Sequence, residues 1–158
     1  MPEGPEVKRN AFALAKSISN KKIQQVVLES GRYTKKTPDG YQEYITSNLP
    51  DLVVGVGVHG KFMYIICSSG YNIWSTLGMT GGWSSRRSKH TRIALEFADS
   101  TSVFFNDIRN FGTIKFVYGK QKLLEKISDL GPDLLNPDTS KKDFILALRR
   151  KNSWNIIF

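Results

Sequence analysis

The sequence holds a single cysteine, Cys67, among 158 residues. One thiol closes no internal disulfide and supplies too few ligands for a four-cysteine zinc site, so a disulfide-stapled secreted module is excluded and a reducing, intracellular compartment is the expectation. Long apolar runs are also missing. None approaches the roughly 18 residues that span a bilayer, and the opening Met-Pro-Glu-Gly-Pro-Glu has neither the basic nor the apolar region of a secretory leader. No membrane partner is expected. Acidic residues are absent from one long stretch: from Leu52 to Leu95 there is no Asp or Glu, while His59, Lys61, Arg86, Arg87, Lys89, His90 and Arg92 all fall inside it. Over the whole chain 23 Lys+Arg stand against 14 Asp+Glu, a formal charge of +9. Positive charge so unevenly placed points to polyanions as partners. Trp74, Trp83, Phe104, Phe105 and Phe111 lie among or near these charges and suit contact with bases. The same residues also describe a solvated basic hairpin beside ordinary core aromatics.

What is present reads as one domain built mainly of short strands, with no internal repeat and no low-complexity linker. Val7, Ala11, Phe12, Leu14, Ala15 and Ile18 recur at helical spacing behind Pro5, which predicts a core-facing helix over 5–19. Segment 22–29 has the β-branched content of a strand, and 40–48 reads as a short helix turning Tyr41, Tyr44 and Ile45 inward, with Leu49 after it. Segments 52–58, 61–68, 71–76, 92–98, 102–107 and 112–118 are rich in β-branched and aromatic residues and are separated by Gly, Ser and Asp. Amphipathic helices are predicted over 121–130 and 141–151, on either side of the turn Gly131-Pro132-Asp133. The fold class expected is α+β, mainly β: a two-layer antiparallel β-sandwich of six to eight strands, flanked by an amino-terminal helix and carboxy-terminal helices.

The amino terminus carries candidate chemistry. Removal of a methionine that precedes proline leaves the secondary amine of Pro2 as the free terminus. An α-amino group titrates near about 7.7–8.0, so a useful neutral fraction exists at physiological pH without a special pocket. Attack of that amine on an aldehyde-like sugar carbon gives a cationic iminium, an electron sink that activates neighbouring C–H bonds for elimination. Glu3 is one peptide bond away and can serve as a general acid, with Glu6 one helical turn further on. The same carboxylates also favour a helix amino terminus without any catalytic role.

Met1-Pro2-Glu3-Gly4-Pro5-Glu6-Val7 resembles the opening signature of the formamidopyrimidine-DNA glycosylase and endonuclease VIII family. Similar stretches follow in family order: His59-Gly60-Lys61, Leu77-Gly78-Met79-Thr80-Gly81, Asp107-Ile108-Arg109-Asn110-Phe111-Gly112 and Leu130-Gly131-Pro132-Asp133. The resemblance implies base-excision repair by a bifunctional DNA glycosylase and abasic-site lyase acting on oxidised bases in double-stranded DNA. Pro2 would attack C1′ and form a Schiff base that proceeds through β- and δ-elimination. Glu3 would be the acid that opens the sugar, Lys61 a phosphate-binding cation, and Glu6 a carboxylate that arranges the site. Met79, Arg109 and Phe111 match the side chains that fill the stack when a nucleotide is extruded, and His90 matches a phosphate contact. No metal and no other cofactor is implied in this half.

The resemblance also implies two domains, a catalytic β-sandwich over 1–135 and, over 136–158, a linker and the start of a helical DNA-binding domain. The Gly-x-Gly-Asn stretch and the finger cysteines of that second domain are absent from this sequence. The apolar run Trp154-Asn155-Ile156-Ile157-Phe158 favours self-association or a protein partner. Two other readings stay open at this point: a non-catalytic nucleic-acid-binding or partner-binding module that keeps the basic face, and a terminal-proline enzyme acting on a small carbonyl substrate.

Overall fold

Helix α1 (Gly4–Ile18) starts where the sequence supplies both a proline in the first turn and a reciprocal capping pair. The Glu3 main-chain N–H donates to Glu6 Oε2 at 2.6 Å, closing the capping box that fixes the chain's entry into the helix. Its buried stripe is Val7, Ala11, Leu14 and Ile18. Phe12, expected inward from its spacing, lies beside that stripe and stays 47% exposed. The computed structural model describes residues 2–131. The expected helix over 141–151, the Pro132-Asp133 turn and the whole of 136–158 lie outside the described residues.

After α1 come β1 (Lys22–Leu28), a turn of 3₁₀ helix (Arg32–Thr34), α2 (Tyr41–Ser47), β2 (Asp51–His59), β3 (Phe62–Cys67), β4 (Tyr71–Thr76), β5 (Gly81–Ser84), β6 (Thr91–Phe97), β7 (Ser102–Asp107), β8 (Thr113–Tyr118) and α3 (Lys120–Leu130). The strands pair in the order β5-β7-β6-β1-β2-β3-β4-β8, and every pairing is antiparallel. β1 meets β2 at only two residue pairs, Lys22 with Leu52 and Ile23 with Asp51. That short joint divides the sheet into two halves, β5-β7-β6-β1 and β2-β3-β4-β8, which form the two layers of the sandwich. Ile93, Leu95 and Phe105 from one layer share a single buried core with Val56, Met63, Ile65, Ile73 and Ile114 from the other, and α1 adds its stripe. Tyr44 is the buried anchor of α2, as its position predicted.

Strand β3 is apolar on both faces because both are covered. Met63, Ile65 and Cys67 face the main core, whereas Phe62, Tyr64 and Ile66 pack beneath Leu123, Leu124 and Ile127 of α3. This explains an unbroken apolar run where a half-exposed strand would alternate. The fully buried Tyr64 ring has space because its cross-strand partner is Gly57. Strand β5, with two glycines among its four residues, carries little strand signal and was not expected from the sequence.

The chain changes layer twice after β4. The β4–β5 connection, 77–80, and the β7–β8 connection, 108–112, are the two crossovers, and they carry Met79, Arg109 and Phe111.

Cys67 shows what the core does to reactivity. Burial pushes its thiol well above the ordinary value, with the neighbouring Asp51 carboxylate adding to the effect, so the nucleophilic thiolate is suppressed. Alkylation at pH 8 is therefore expected to proceed only in denaturant. Labelling of the native chain at the rate of a free thiol would contradict this placement.

Candidate functional site

Two groups of residues, far apart in sequence, meet at one end of the sandwich. The first is built on the α1 entry and the β2–β3 turn. That turn has only two central residues, Gly60 and Lys61, and Gly60 takes φ +59°, as a type II′ hairpin requires at its first position. The turn projects Lys61 toward the chain start, where its Nζ lies 3.3 Å from Glu3 Oε2. Both side chains are well exposed, at 48% and 63%, so the pair is solvent-accessible. Glu6, exposed on the same helix entry, holds the Glu3 N–H. A cavity of about 350 Å³ opens here, lined by Pro2, Lys61, Leu77, Gly78 and Lys126 among others. Pro2, Glu3, Glu6 and Lys61 are thus brought together.

The second group is the pair of crossovers. Met79 is 40% exposed and Phe111 57%, and Arg109 is exposed as well. Exposure of two large apolar side chains on adjoining loops is costly in water unless something covers them in use. The loops touch directly: a Cβ on Gly78, at φ +60°, would stand 2.6 Å from Gly112 N and 2.7 Å from the Phe111 carbonyl carbon. Only glycine permits that approach. Because Leu77 and Gly78 also line the cavity, the Met79 loop borders the Pro2 group.

Asp107, fully buried, ties the loops together. Its Oδ1 accepts from the Thr80 hydroxyl at 2.5 Å and its Oδ2 from the Gly112 N–H at 2.8 Å. Thr80 Oγ1 in turn accepts the Arg109 N–H at 2.9 Å. The half-buried His90 adjoins this knot, its carbonyl accepting the Asp107 N–H at 3.0 Å.

Several of the chain's positive charges are committed within the fold. The Arg92 guanidinium donates to the Asp107 carbonyl at 2.9 Å, the Ile108 carbonyl at 3.2 Å and Ser30 Oγ at 3.0 Å. Arg32 donates to the Gly112 carbonyl, and Arg87 pairs with Glu29 and lies over the Phe104 ring. His59 is buried and donates through Nε2 to the Gly131 carbonyl, tying the end of α3 to the Lys61 turn. Among the aromatics offered for base contact, Trp83, Phe104 and Phe105 are core residues, while Phe111 is exposed. The residues that sequence reasoning missed are Lys126, which lines the cavity and lies 5.7 Å from the Phe62 ring centroid, and the Thr80–Asp107 pair. Thr80 and Asp107 lie in stretches that carry the resemblance, but nothing local joins them to each other, and a helix-borne lysine carries no signal of lining a cavity.

Comparison with known proteins identifies the family and the fold. The family model of the formamidopyrimidine-DNA glycosylase N-terminal domain matches residues 1–114. Formamidopyrimidine-DNA glycosylase of Ligilactobacillus salivarius is 31% identical over 157 residues, covering 96% of this chain and 54% of that protein. The enzyme of the same name from Wolbachia pipientis is 31% identical over 171 residues, covering 99% of this chain and 58% of its own length. The chain therefore spans about half the length of the curated relatives it matches. Among solved structures, MutM in complex with DNA containing carbocyclic 8-oxo-G superposes with a TM-score of 0.71 at 23% identity, over 83% of this chain and 50% of that one. Lactococcus lactis Fpg in complex with DNA containing an oxidised pyrimidine gives 0.69 at 24%, over 83% and 50%. At these identities the likeness establishes the fold.

Proposed function

This chain belongs to the formamidopyrimidine-DNA glycosylase family through its amino-terminal domain, and from that premise we propose that it carries the catalytic groups of a base-excision repair glycosylase with abasic-site lyase activity. The observation that carries the proposal is the convergence of Pro2 and Lys61 on one cavity, with Glu3 held against Lys61. With Met1 removed, the Pro2 amine attacks C1′ of the damaged nucleotide. The C1′–N bond breaks and its electron pair leaves with the base. The proton shed by the Pro2 nitrogen passes through Glu3 to O4′, the departing base takes a proton from water, and opening of the C1′–O4′ bond, coupled to departure of the base, gives the iminium. Removal of a C2′ proton by a base sends the C–H electron pair into that sink, the resulting enamine expels the 3′-phosphate, and a second elimination expels the 5′-phosphate. Water then cleaves the remaining imine and frees Pro2. Lys61 offers a compact cation to a phosphate beside the reacting sugar, and Glu6 keeps the helix entry in place.

The partner is damaged double-stranded DNA. Met79, Arg109 and Phe111 form the wedge that fills the vacated stack: a flexible apolar filler, a cation for the orphaned base and an aromatic plate. His90 adds a phosphate contact beside the wedge. Segment 136–158 is proposed to open a helical DNA-binding domain.

Borohydride trapping tests the reading. The chain, with Met1 shown by mass to be absent, is mixed with an abasic-site duplex and reductant. A covalent adduct mapping to the peptide that begins with Pro2 is expected. Salt-sensitive DNA binding without any adduct, unchanged by replacing Pro2 or Glu3, would overturn the enzymatic reading in favour of a binding module.

A further inference from the structure

We propose that Thr80 and Asp107 are positioning residues for the wedge, forming a latch that sets the Met79 loop against the Arg109 and Phe111 loop; the inference rests on the wedge reading above. The two loops leave different strands, and no covalent link fixes one against the other. Their registry is held by a directional relay. The Arg109 N–H donates to Thr80 Oγ1, which spends its own proton on Asp107 Oδ1, while Asp107 Oδ2 takes the Gly112 N–H. The bonded positions, 109 and 112, bracket Phe111, so the relay defines the base of that side chain from both sides.

The chemistry of the relay requires these residue types. Both oxygens of residue 107 must accept, which an asparagine cannot do, because its amide nitrogen only donates. Residue 80 must accept and donate at once, which a hydroxyl does and a methyl does not. The partners of the buried carboxylate are neutral, and no ion pair forms at Asp107 among the described residues. A buried carboxylate with no cation on it is expensive to maintain, and its retained contacts all serve the two loops rather than the core strands. Arg92 and Arg32 brace the same loop from beneath through its carbonyls at positions 107, 108 and 112. Gly78 supplies the close approach without which Thr80 would not reach its partners.

Thr80→Val is the informative variant, since it keeps the side chain's shape and removes both halves of the relay. Thr80→Ser restores the hydroxyl. The 158-residue chain is bound to a duplex carrying 2-aminopurine beside an abasic-site analogue, and unstacking is read by fluorescence. Exchange of the Arg109 and Gly112 amides is followed by NMR, with the melting temperature as a folding control. Thr80→Val should weaken the unstacked complex about tenfold and speed Arg109 amide exchange by a similar factor. Melting should fall by only several degrees, the cost of leaving Asp107 Oδ1 without its donor, with a cooperative transition retained, and Thr80→Ser should recover most of all three losses. Unstacking and exchange unchanged in Thr80→Val would overturn the latch. If the unaltered chain forms the Pro2 adduct but never unstacks the probe, the wedge and its latch both fall while the catalytic reading stands. If it does neither, all three fall.

Discussion

Glu3→Gln is expected to slow release of a damaged base from duplex DNA by roughly 10²–10⁴-fold, the usual cost of losing a positioned general acid. On DNA that already lacks the base the loss should be far smaller. An abasic sugar is in equilibrium with its open aldehyde, so amine attack there needs neither departure of the base nor a proton on the ring oxygen. The substitution is otherwise mild. The capping box draws on the Glu3 main-chain N–H, which the variant keeps, and glutamine retains an acceptor oxygen for the first helical turn. The ion pair to Lys61 would be lost, but both partners are largely exposed, and such pairs are worth about 0–1 kcal/mol. Single-turnover rates on the two substrates give the decisive ratio. Equal losses on both would reassign Glu3 from proton donor to organiser of the α1 entry.

Gly57→Ala should be the most destabilising conservative change in the β2–β3 hairpin. An added Cβ would lie 2.2 Å from Tyr64 Cε2 and 2.3 Å from its Cζ, distances at which atoms overlap. The ring has nowhere to retreat. It is fully buried, its centroid is 5.5 Å from that of Phe62, and Leu123 and Ile127 of α3 close the far side. Overpacking of this kind costs typically 1–3 kcal/mol and here should reach about 3 kcal/mol. At about 2–4 °C per kcal/mol for a chain of this size, the melting temperature should fall by roughly 6–12 °C. Because α3 also carries Lys126 and the hairpin carries Lys61, adduct formation should fall with it. Unchanged melting would mean that the Tyr64 ring does not lie across β2.

The sequence made the strands legible where alternation or continuous apolarity was strong. Segment 71–76 and segment 102–107 are strands at those bounds, and the stripe Val7, Ala11, Leu14, Ile18 faces the core as its spacing requires. It failed at β5, where two glycines erase the pattern, and at Phe12, whose position next to Ala11 in the helix turns it out of the stripe. The candidate site was legible in its residue types and illegible in its supports. Pro2, Glu3 and Lys61 are conspicuous as residue types at a chain start and a glycine turn. By contrast, nothing in the sequence distinguishes Arg92, committed to loop carbonyls, from Arg86 in the same basic stretch, and only tertiary contacts separate them. Asp107 is similar: at a strand end it reads as a turn residue, and its burial emerges only when both crossovers fold over it.

The placement of the proposed wedge on the two crossovers would have a mechanical consequence. A side chain pushed into stacked bases is pushed back, and the reaction must be carried somewhere. A wedge on a hairpin within one layer would transmit that load as bending of a single sheet. Here each loop is anchored at one end in each layer, so thrust on Phe111 would be resolved into both sheets at once, across a close-packed interior of low compressibility. The β1–β2 joint, only two residue pairs wide, is too narrow to resist shear between the layers. The stiffness that such a wedge would need would therefore have to come from the interdigitated core and from the loops' own cross-tie at the rim of the sandwich.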